Sequence, residues 1–256
     1  MDSLSNKNKF YHFFSTIGEF LLFNLSIAGF LPHLKKRYGE IIKQMKRIGF
    51  DSLPLISITS AFTGLVTSVQ ASYQTSGYIP KRLIGVLVGK STMIELAPVL
   101  TGLVLAGKVG ASIAAEIGSM KVSEQIDAME TMAIDPHDFL YFPRIFAGCI
   151  MFLLLTVYAN FIGIFSAFIL SVGKYKVNAF SFFNNMRNFF LPSDLWGGLI
   201  KAFFFGLIIT SVACFAGSKT KGGAEGVGKA ATNTVVYSSI LILITDFVVA
   251  SILFEN

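Results

Sequence analysis

The residues of this chain that could do chemistry are polar groups embedded in otherwise apolar stretches. Glu95 lies in a glycine-rich apolar segment that also contains Lys90 and Pro98. A charged group inside a membrane costs about 2.5–3.5 kcal/mol even on the mildest scales, so such a residue is a functional candidate by default. Gln70 and Tyr73, on the preceding apolar stretch, have the polar groups to line the same cavity. We therefore predict a binding cavity that contains Glu95, Gln70 and Tyr73.

Two of the embedded acids also have a structural interpretation. Glu95 could be protonated, or hydrogen-bonded to a neighbouring helix, without touching a ligand. Asp246 interrupts the last apolar stretch, where Thr245 and nearby backbone groups could satisfy it. The structural interpretation is the stronger one for Asp246, whereas Glu95 is a candidate binding residue.

No arrangement of residues indicates a catalytic centre. The segment 85–91, GVLVGKS, resembles a phosphate-binding loop, but that motif needs four residues between its glycines and follows a soluble strand. No G-x-S-x-G nucleophile motif is present. Cys149 and Cys214 lie in apolar runs without CxxC spacing. Three histidines lie near one predicted membrane face without convergent partners: His12, His33 and His137. We therefore expect no enzymatic activity, no cofactor and no metal.

Composition excludes an ordinary soluble domain. Of 256 residues, 53% are hydrophobic and 14% are charged, with a mean hydropathy of +0.65. A soluble domain carries about 25% charged residues. The net charge of +6 does not indicate nucleic-acid binding, because the basic residues flank apolar runs instead of sharing one soluble face.

Five apolar stretches are long enough to cross a hydrocarbon layer about 30 Å thick, which takes about 20 residues. The predicted spans are residues 52–80, 83–107, 145–173, a segment from near Leu195 to 218, and 230–254. The second is the least apolar, but without it residues 81 and 144 would lie on the same side of the membrane. We predict an all-α membrane protein in which residues 1–50 form an N-terminal helical segment and 51–256 the transmembrane domain.

Basic residues predict the orientation of these spans, because they concentrate on the cytoplasmic side. With a cytoplasmic N-terminus and a C-terminus on the far side, fourteen lysines and arginines lie on cytoplasmic segments and seven on or near the other side. The seven are Lys81, Arg82, Lys90, Lys174, Lys176, Arg187 and Lys201.

The first 32 residues resemble a signal peptide, but Glu19 and Asn24 interrupt the apolar stretch and no clean cleavage site follows. An amphipathic helix in the cytoplasmic interface fits better. Its apolar residues recur near helical spacing: Phe10, Phe13, Phe14, Ile17, Leu21 and Leu25.

The cytoplasmic segment 108–136 is not an ordinary loop. Apolar residues recur every three or four positions, which predicts short amphipathic helices with a bend at Gly118, an N-cap at Ser123 and an end at Pro136. The opposite faces carry four acids: Glu116, Glu124, Asp127 and Glu130. Such a helix suits docking into a groove on a soluble partner. The alternative, a helix resting on the membrane, is disfavoured because anionic headgroups would repel the acids.

The same region carries a family resemblance. Residues 95–136, ELAPVLTGLVLAGKVGASIAAEIGSMKVSEQIDAMETMAIDP, closely resemble the signature of the MlaE permease family, and 231–239, ATNTVVYSS, with Asp246, Phe247 and Val248, resemble the family's last span. Those proteins are membrane subunits of ABC transporters that act on lipids together with MCE-domain proteins. One difference is Ile94, where some relatives have Arg before the Glu of the E-L-(G/A)-P motif.

The resemblance implies an interfacial N-terminal helix and five spans in a homodimer bound by two ABC ATPase subunits. It further implies a phospholipid substrate, a hexamer of periplasmic MCE-domain subunits and a location in the bacterial inner membrane. A coupling helix near 123–130 would fit the ATPase groove. The predicted coupling residues are Glu116, Ser123, Glu124, Gln125, Asp127 and Glu130.

Two other function classes compete with the permease. A secondary transporter or channel without an ATPase usually has internal repeats with paired broken helices, and 95–136 has no second copy. A scaffold that only anchors other subunits would not need its cavity residues.

Overall fold

Helices that cross a membrane dominate the structure. The computed structural model describes residues 2–75, 80 and 83–254, and side chains within 14–75, 80 and 83–253. Within these ranges all regular secondary structure is helical. Five helical segments are long and apolar enough to span a membrane: Tyr38–Thr75, Ile84–Val122, His137–Gly173, Pro192–Ser218 and Gly223–Leu253. The predicted all-α membrane protein with five spans is confirmed, while Lys81 and Arg82 of the charge count lie outside the described residues.

The chain begins with a long helix and then enters the first span. Helix α1 is Asp2–Ala28, and a 3-10 turn, Leu31–Lys35, leads to α2, Tyr38–Gly49. A second 3-10 turn, Phe50–Ser52, joins α2 to α3, Leu53–Thr75, so the helical path is nearly continuous. The boundary that the sequence suggests at residue 50 lies in this turn.

Helix α1 presents one apolar face outward and packs its other face on the bundle. The outward residues are Phe14, Ile17, Leu21 and Leu25, whereas the side chains of Phe10 and Phe13 lie outside the described residues. On the inner face, the rings of Phe20 and Phe23 lie 5.4 and 5.6 Å from the ring of Phe215. Lys219 and Glu19 form an ion pair nearby. The apolar N-terminal helix is therefore present, and its interfacial position stays a prediction.

Two of the three histidines have partners, contrary to the sequence-based expectation. His33 Nδ1 lies 3.0 Å from Asp138 Oδ1, and the Arg37 guanidinium binds Asp138 Oδ2 at 2.5 Å. His137 Nδ1 lies 2.9 Å from Ser26 Oγ. These contacts fasten α1 and α2 to the start of the third span. The partners are more than 100 residues away in the chain, so local sequence could not reveal them.

The second span alternates α-helix with wider π-helical turns. It runs through α4, Ile84–Ser91, a π-turn at Thr92–Leu96, α5, Ala97–Leu105, a second π-turn at Ala106–Gly110, and α6, Ala111–Val122. Single π-turns inside α-helices occur frequently at functional sites. The helix therefore continues fifteen residues past the predicted end at 107.

Three local predictions about segment 108–136 were wrong. Gly118 does not bend the chain but lies inside α6, where an added Cβ would lie 2.8 Å from Thr220 Oγ1. The break falls instead at Glu124, which has a left-handed φ of 58° and precedes α7, Gln125–Thr131. Ser123 does not cap α7, since its hydroxyl donates to the carbonyl of Ser119. Pro136 lies at the start of the next helical segment.

The remaining chain forms three spans and one short helix. A π-turn at His137–Tyr141 leads into α8, Phe142–Gly173. Helix α9, Ala179–Asn188, follows outside the span. Helices α10, Pro192–Ser218, and α11, Gly223–Phe254, complete the bundle.

Close backbone contacts hold the spans together. A Cβ on Gly64 of α3 would clash with the carbonyl oxygen of Gly163 in α8, and one on Gly198 of α10 would clash with the carbonyl of Met93. Small residues permit this approach, and van der Waals packing then drives association in lipid. The Gly198 contact presses α10 directly on the π-turn that contains Glu95.

Candidate functional site

Three charged side chains meet inside the helix bundle. Lys201 Nζ lies 2.5 Å from Glu95 Oε1 and 2.9 Å from Asp246 Oδ1. The lysine side chain is 0% exposed, Asp246 is 21% exposed and Glu95 is 42% exposed. The charge cluster Glu95–Lys201–Asp246 thus has a closed side at the lysine and an open side at Glu95.

Packing around the cluster explains why these residues meet. Gly198 lies against Met93, so Lys201, one turn further along α10, faces Glu95, two residues further along the π-turn. On the next layer, Gly102 lies against Phe205 and Ile242, which puts Asp246, one turn beyond Ile242, beside the lysine. At a rise of about 1.5 Å per residue, Lys201 lies about 14 Å from the start of α10, whose 27 residues extend about 40 Å, so the lysine is well inside the span.

The cluster overturns two expectations. Lys201 was placed on or near the far side of the membrane, but it is fully buried among the spans. Asp246 was expected to be satisfied by Thr245 and backbone, but its charge partner is Lys201. Lys90, also assigned to the far side, is 38% exposed and lies 3.4 Å from Asp194, which is buried at the start of α10.

An apolar groove lies beside the cluster, between α3 and the second span. Its volume is about 340 Å³, within the range of about 300–1,000 Å³ that ligand pockets occupy. Its lining residues are Phe62, Thr63, Val66, Thr67 and Gln70 of α3, with Leu96 and Leu100 opposite. The predicted Gln70 is therefore part of a cavity wall, and Leu96, the residue after Glu95, forms the facing wall.

The other two predicted cavity residues lie outside this lining. Tyr73 is 81% exposed one turn beyond Gln70, and Glu95 does not line the groove, although the next residue in the chain, Leu96, does. Next to the groove lies a chamber of about 10 Å³ that shares Thr63, Leu96 and Leu100 with it and is lined by both hydroxyl-bearing and apolar residues. The chamber's hydroxyls belong to Thr59, Ser60, Thr63, Thr92 and Thr101.

The predicted coupling residues divide between two places. Ser123, Glu124, Gln125, Asp127 and Glu130 are all exposed on or beside α7. Ile126 is buried in the main core, so α7 is anchored by its apolar side. Lys121 donates to Asp127 Oδ1 at 2.6 Å. Glu116 lies apart from these residues on α6 and pairs with Arg47 and Arg144.

Comparison with known proteins defines the family. The family model described as "Permease MlaE" matches residues 41–252. This chain belongs to the MlaE permease family. It is 37% identical over 243 residues to a "Probable ABC transporter permease protein" of Rickettsia felis, an alignment that covers 95% of this chain and 94% of the relative.

Two further relatives extend the family's range. The chain is 35% identical over 245 residues to the "Intermembrane phospholipid transport system permease protein MlaE" of Haemophilus influenzae, covering 94% of this chain and 93% of that one. It is 34% identical over 222 residues to "Protein TRIGALACTOSYLDIACYLGLYCEROL 1, chloroplastic" of Arabidopsis thaliana, covering 87% and 63%. The MlaE family match begins inside α2 and therefore includes all five spans, the charge cluster and α7.

Sequence reasoning missed Lys201, although a signal was available. The rule that selected Glu95 applies equally to a lone lysine between apolar residues. The fourth span as predicted, from near Leu195 to 218, already contains Lys201, but the charge count treated this lysine as a flanking residue. Arg47 and Arg144 could not be recognised from the sequence in the same way, because basic residues are expected at the ends of membrane spans.

Replacing the buried lysine should destabilise this MlaE-family chain. Lys201→Met removes the only ammonium group that the structure places at the cluster and leaves two carboxylates in an apolar bundle. Breaking a buried pair by removing one partner costs about 3–5 kcal/mol. We expect a clearly lower thermal unfolding midpoint in detergent.

The matched control is Lys229→Met, because Lys229 is 72% exposed and pairs with Glu225 at 2.7 Å. An exposed pair of this kind contributes about 0.3–0.5 kcal/mol. The triple variant Lys201→Met, Glu95→Gln, Asp246→Asn should recover part of the lost stability. Equal midpoints for the two single lysine variants would contradict the role assigned to Lys201.

Proposed function

We propose that this chain is the membrane permease of an ATP-driven phospholipid transporter in a bacterial inner membrane. Family membership supports this, since relatives are named as an ABC transporter permease and as an intermembrane phospholipid transport permease. In this proposal two copies of the chain bind two ATPase subunits, and a periplasmic MCE-domain hexamer exchanges lipid with them. The chain itself hydrolyses nothing.

The observation that carries the proposal is an apolar groove beside an intramembrane charge cluster. The groove between α3 and Leu96 offers acyl chains an apolar wall, and Glu95, which precedes Leu96 in the chain, belongs to the charge cluster. Two carboxylates and one ammonium give the cluster a formal charge of −1. A zwitterionic phospholipid carries both hydrocarbon chains and an ammonium group, and therefore complements both features.

The exposure of Glu95 supports a dimer. A carboxylate that is 42% exposed cannot face hydrocarbon without a cost of a few kcal/mol. Polar groups at membrane depth are tolerated beside protein or a water-filled cavity. We therefore place Glu95 on a cavity between two copies of the chain.

Helix α7 is the proposed contact with the ATPase. Its buried Ile126 fixes it to the bundle, and its exposed acids point away from the core. Anionic headgroups would repel those acids, whereas a basic groove on a soluble subunit would bind them. This placement requires α7 to be cytoplasmic, and the excess of basic residues on its side of the membrane supports that orientation.

The orientation can be measured with single cysteines. Asn184→Cys, exposed on α9, should react with a membrane-impermeant thiol reagent in intact spheroplasts, and Lys221→Cys, exposed between α10 and α11, should not. Native background is low because Cys149 and Cys214 are buried. The opposite labelling pattern would reverse the proposed topology, and equal labelling would contradict a membrane crossing by α10.

Reversing charge on α7 should weaken ATPase binding. Glu124 and Glu130 are exposed, and a hydrogen bond to a charged group is worth about 1.5–3 kcal/mol. The double variant Glu124→Lys, Glu130→Lys should therefore bind the ATPase about a hundred-fold more weakly. Pull-down titration of the purified subunits measures this. Glu225→Lys, a reversal at an exposed site on the same side, is the control. Unchanged affinity in the double variant would favour a helix that rests on the membrane.

Glu95→Gln tests the role of the cluster in transport. The amide keeps the volume and hydrogen-bonding capacity of Glu95 but removes its charge. If Glu95 contacts the lipid headgroup, the variant should assemble with the ATPase and hydrolyse ATP, yet move lipid between vesicles at a small fraction of the wild-type rate. Transport at the wild-type rate would remove the charge of Glu95 from the mechanism. A structural role alone predicts instead that Glu95→Leu lowers the yield of assembled complex.

A further inference from the structure

Helix α7 is linked to α6 by charge as well as by chain. Lys121, in the last turn of α6, donates to Asp127 Oδ1 of α7 at 2.6 Å. Helix α6 packs chiefly on α10 and α11, where Gly217 meets Ile117 and Thr220 meets Gly118. A displacement of α7 therefore acts first on α6 and on the two spans behind it.

Glu116 connects α6 to the other side of the bundle. One carboxylate oxygen, Oε2, binds the Arg47 guanidinium of α2, and the other, Oε1, accepts from Arg144 Nη2 of α8 at 2.9 Å. The Arg144 side chain is 6% exposed and also donates to the carbonyl of Leu140 at 2.8 Å. Direct packing of α6 on α2 and α8 is slight by comparison with its packing on α10 and α11. The long arginine side chains thus bridge a gap that backbone packing leaves.

The two arginines belong to helices that reach the groove side of the molecule. Arg47 lies on the helical path Tyr38–Thr75, whose far half carries the groove wall around Gln70. The distance from Arg47 to Gln70 along this path is about 35 Å at about 1.5 Å per residue. Arg144 lies at the start of α8, which packs tightly on α3. A displacement of Glu116 can therefore be transmitted to the groove through the helical path Tyr38–Thr75 and through α8.

We propose that Glu116 is a positioning residue that transmits movement of α7 to the first and third spans, and so controls the groove. This inference rests on the proposed function, in which the ATPase moves α7. In this role Glu116 is not an ATPase contact, because both of its oxygens already bind arginines within the chain. Its negative charge is the operative feature, since only a carboxylate pairs with two guanidinium groups at once.

The decisive variant is Glu116→Gln, assayed as the complete complex with its ATPase. We expect normal assembly, continued ATP hydrolysis and about ten-fold less phospholipid moved per ATP, within the ~5–150-fold range of ordinary coupling between sites. Arg47→Gln should give a similar loss, and the double variant should be no worse than either single one, because interacting residues are not additive. Glu225→Gln, which removes an equal charge from an exposed pair, should behave as wild type.

A second readout follows the groove without lipid transport. The thiol of a Gln70→Cys variant, exposed at the groove, should be labelled at a different rate when ATP is added to the otherwise wild-type complex. This response should disappear when Glu116→Gln is also present. An intact response in that background would overturn the proposal. Failure of Glu116→Gln to bind the ATPase would overturn it in favour of a docking role.

Two outcomes distinguish a failure of this proposal from a failure of the proposed transport function. A wild-type complex that moves no lipid would count against phospholipid transport, while the labelling response at position 70 still tests Glu116. If Glu116→Gln does not accumulate as folded protein, Arg47→Gln carries the test, because Arg47 is 49% exposed at the end of the bundle. Full coupling in Arg47→Gln would then contradict transmission through Glu116 to the first span.

Discussion

The need to neutralise one buried lysine constrains how three of the spans pack against one another. Lys201 is fully enclosed, and an isolated ammonium group in an apolar interior costs several kcal/mol. Its two carboxylate partners come from different spans, so three helices must meet at one level. They can meet because Gly198 lets α10 lie directly on the π-turn and Gly102 admits Phe205 and Ile242. The π-helical turn, the two glycines and the position of Asp246 all contribute to neutralising the charge of Lys201.

The same rule operates at the other end of the spans with a different result. Asp138 and Glu116 each bind two basic groups from other segments of the chain, and each has one partner that is about half exposed, His33 for Asp138 and Arg47 for Glu116. Asp138 fastens the N-terminal elements to the start of the third span. Glu116 instead spans a gap between weakly packed helices beside α7. A charge pair across such a gap can yield and re-form, whereas the enclosed lysine cannot lose its partners without a large penalty.

The sequence predicted the number of spans but not their ends or contacts. Hydropathy detects the apolar middle of a helix, so five spans emerged, while α6 was predicted as a short cytoplasmic amphipathic helix and not as the end of the second span. Tertiary packing on Thr220 and Gly217 keeps that segment helical. Charge counting treated Lys201 as a flanking residue, because nothing local to it reveals a carboxylate 106 residues away. Gln70 was found because a polar side chain on an apolar helix is a local signal. Glu116 was grouped with the other acids of 108–136 as a coupling residue, because local sequence could not identify its arginine partners.

The open side of the charge cluster bears on the unit that functions. A single chain leaves Glu95 partly exposed at a depth where hydrocarbon would surround it, although Lys201 is sealed behind it. Asp246, whose carboxylate lies 2.9 Å from the ammonium group, would by itself balance the charge of Lys201. The additional carboxylate therefore contributes beyond charge balance, and its exposed oxygen must face water, protein or a polar ligand. A second protomer and a lipid headgroup are complementary answers to that requirement, because two copies that face each other across the groove would enclose a polar space that only a headgroup or water can fill. The surplus charge, not the apolar wall, would then distinguish a phospholipid from an ordinary hydrocarbon chain.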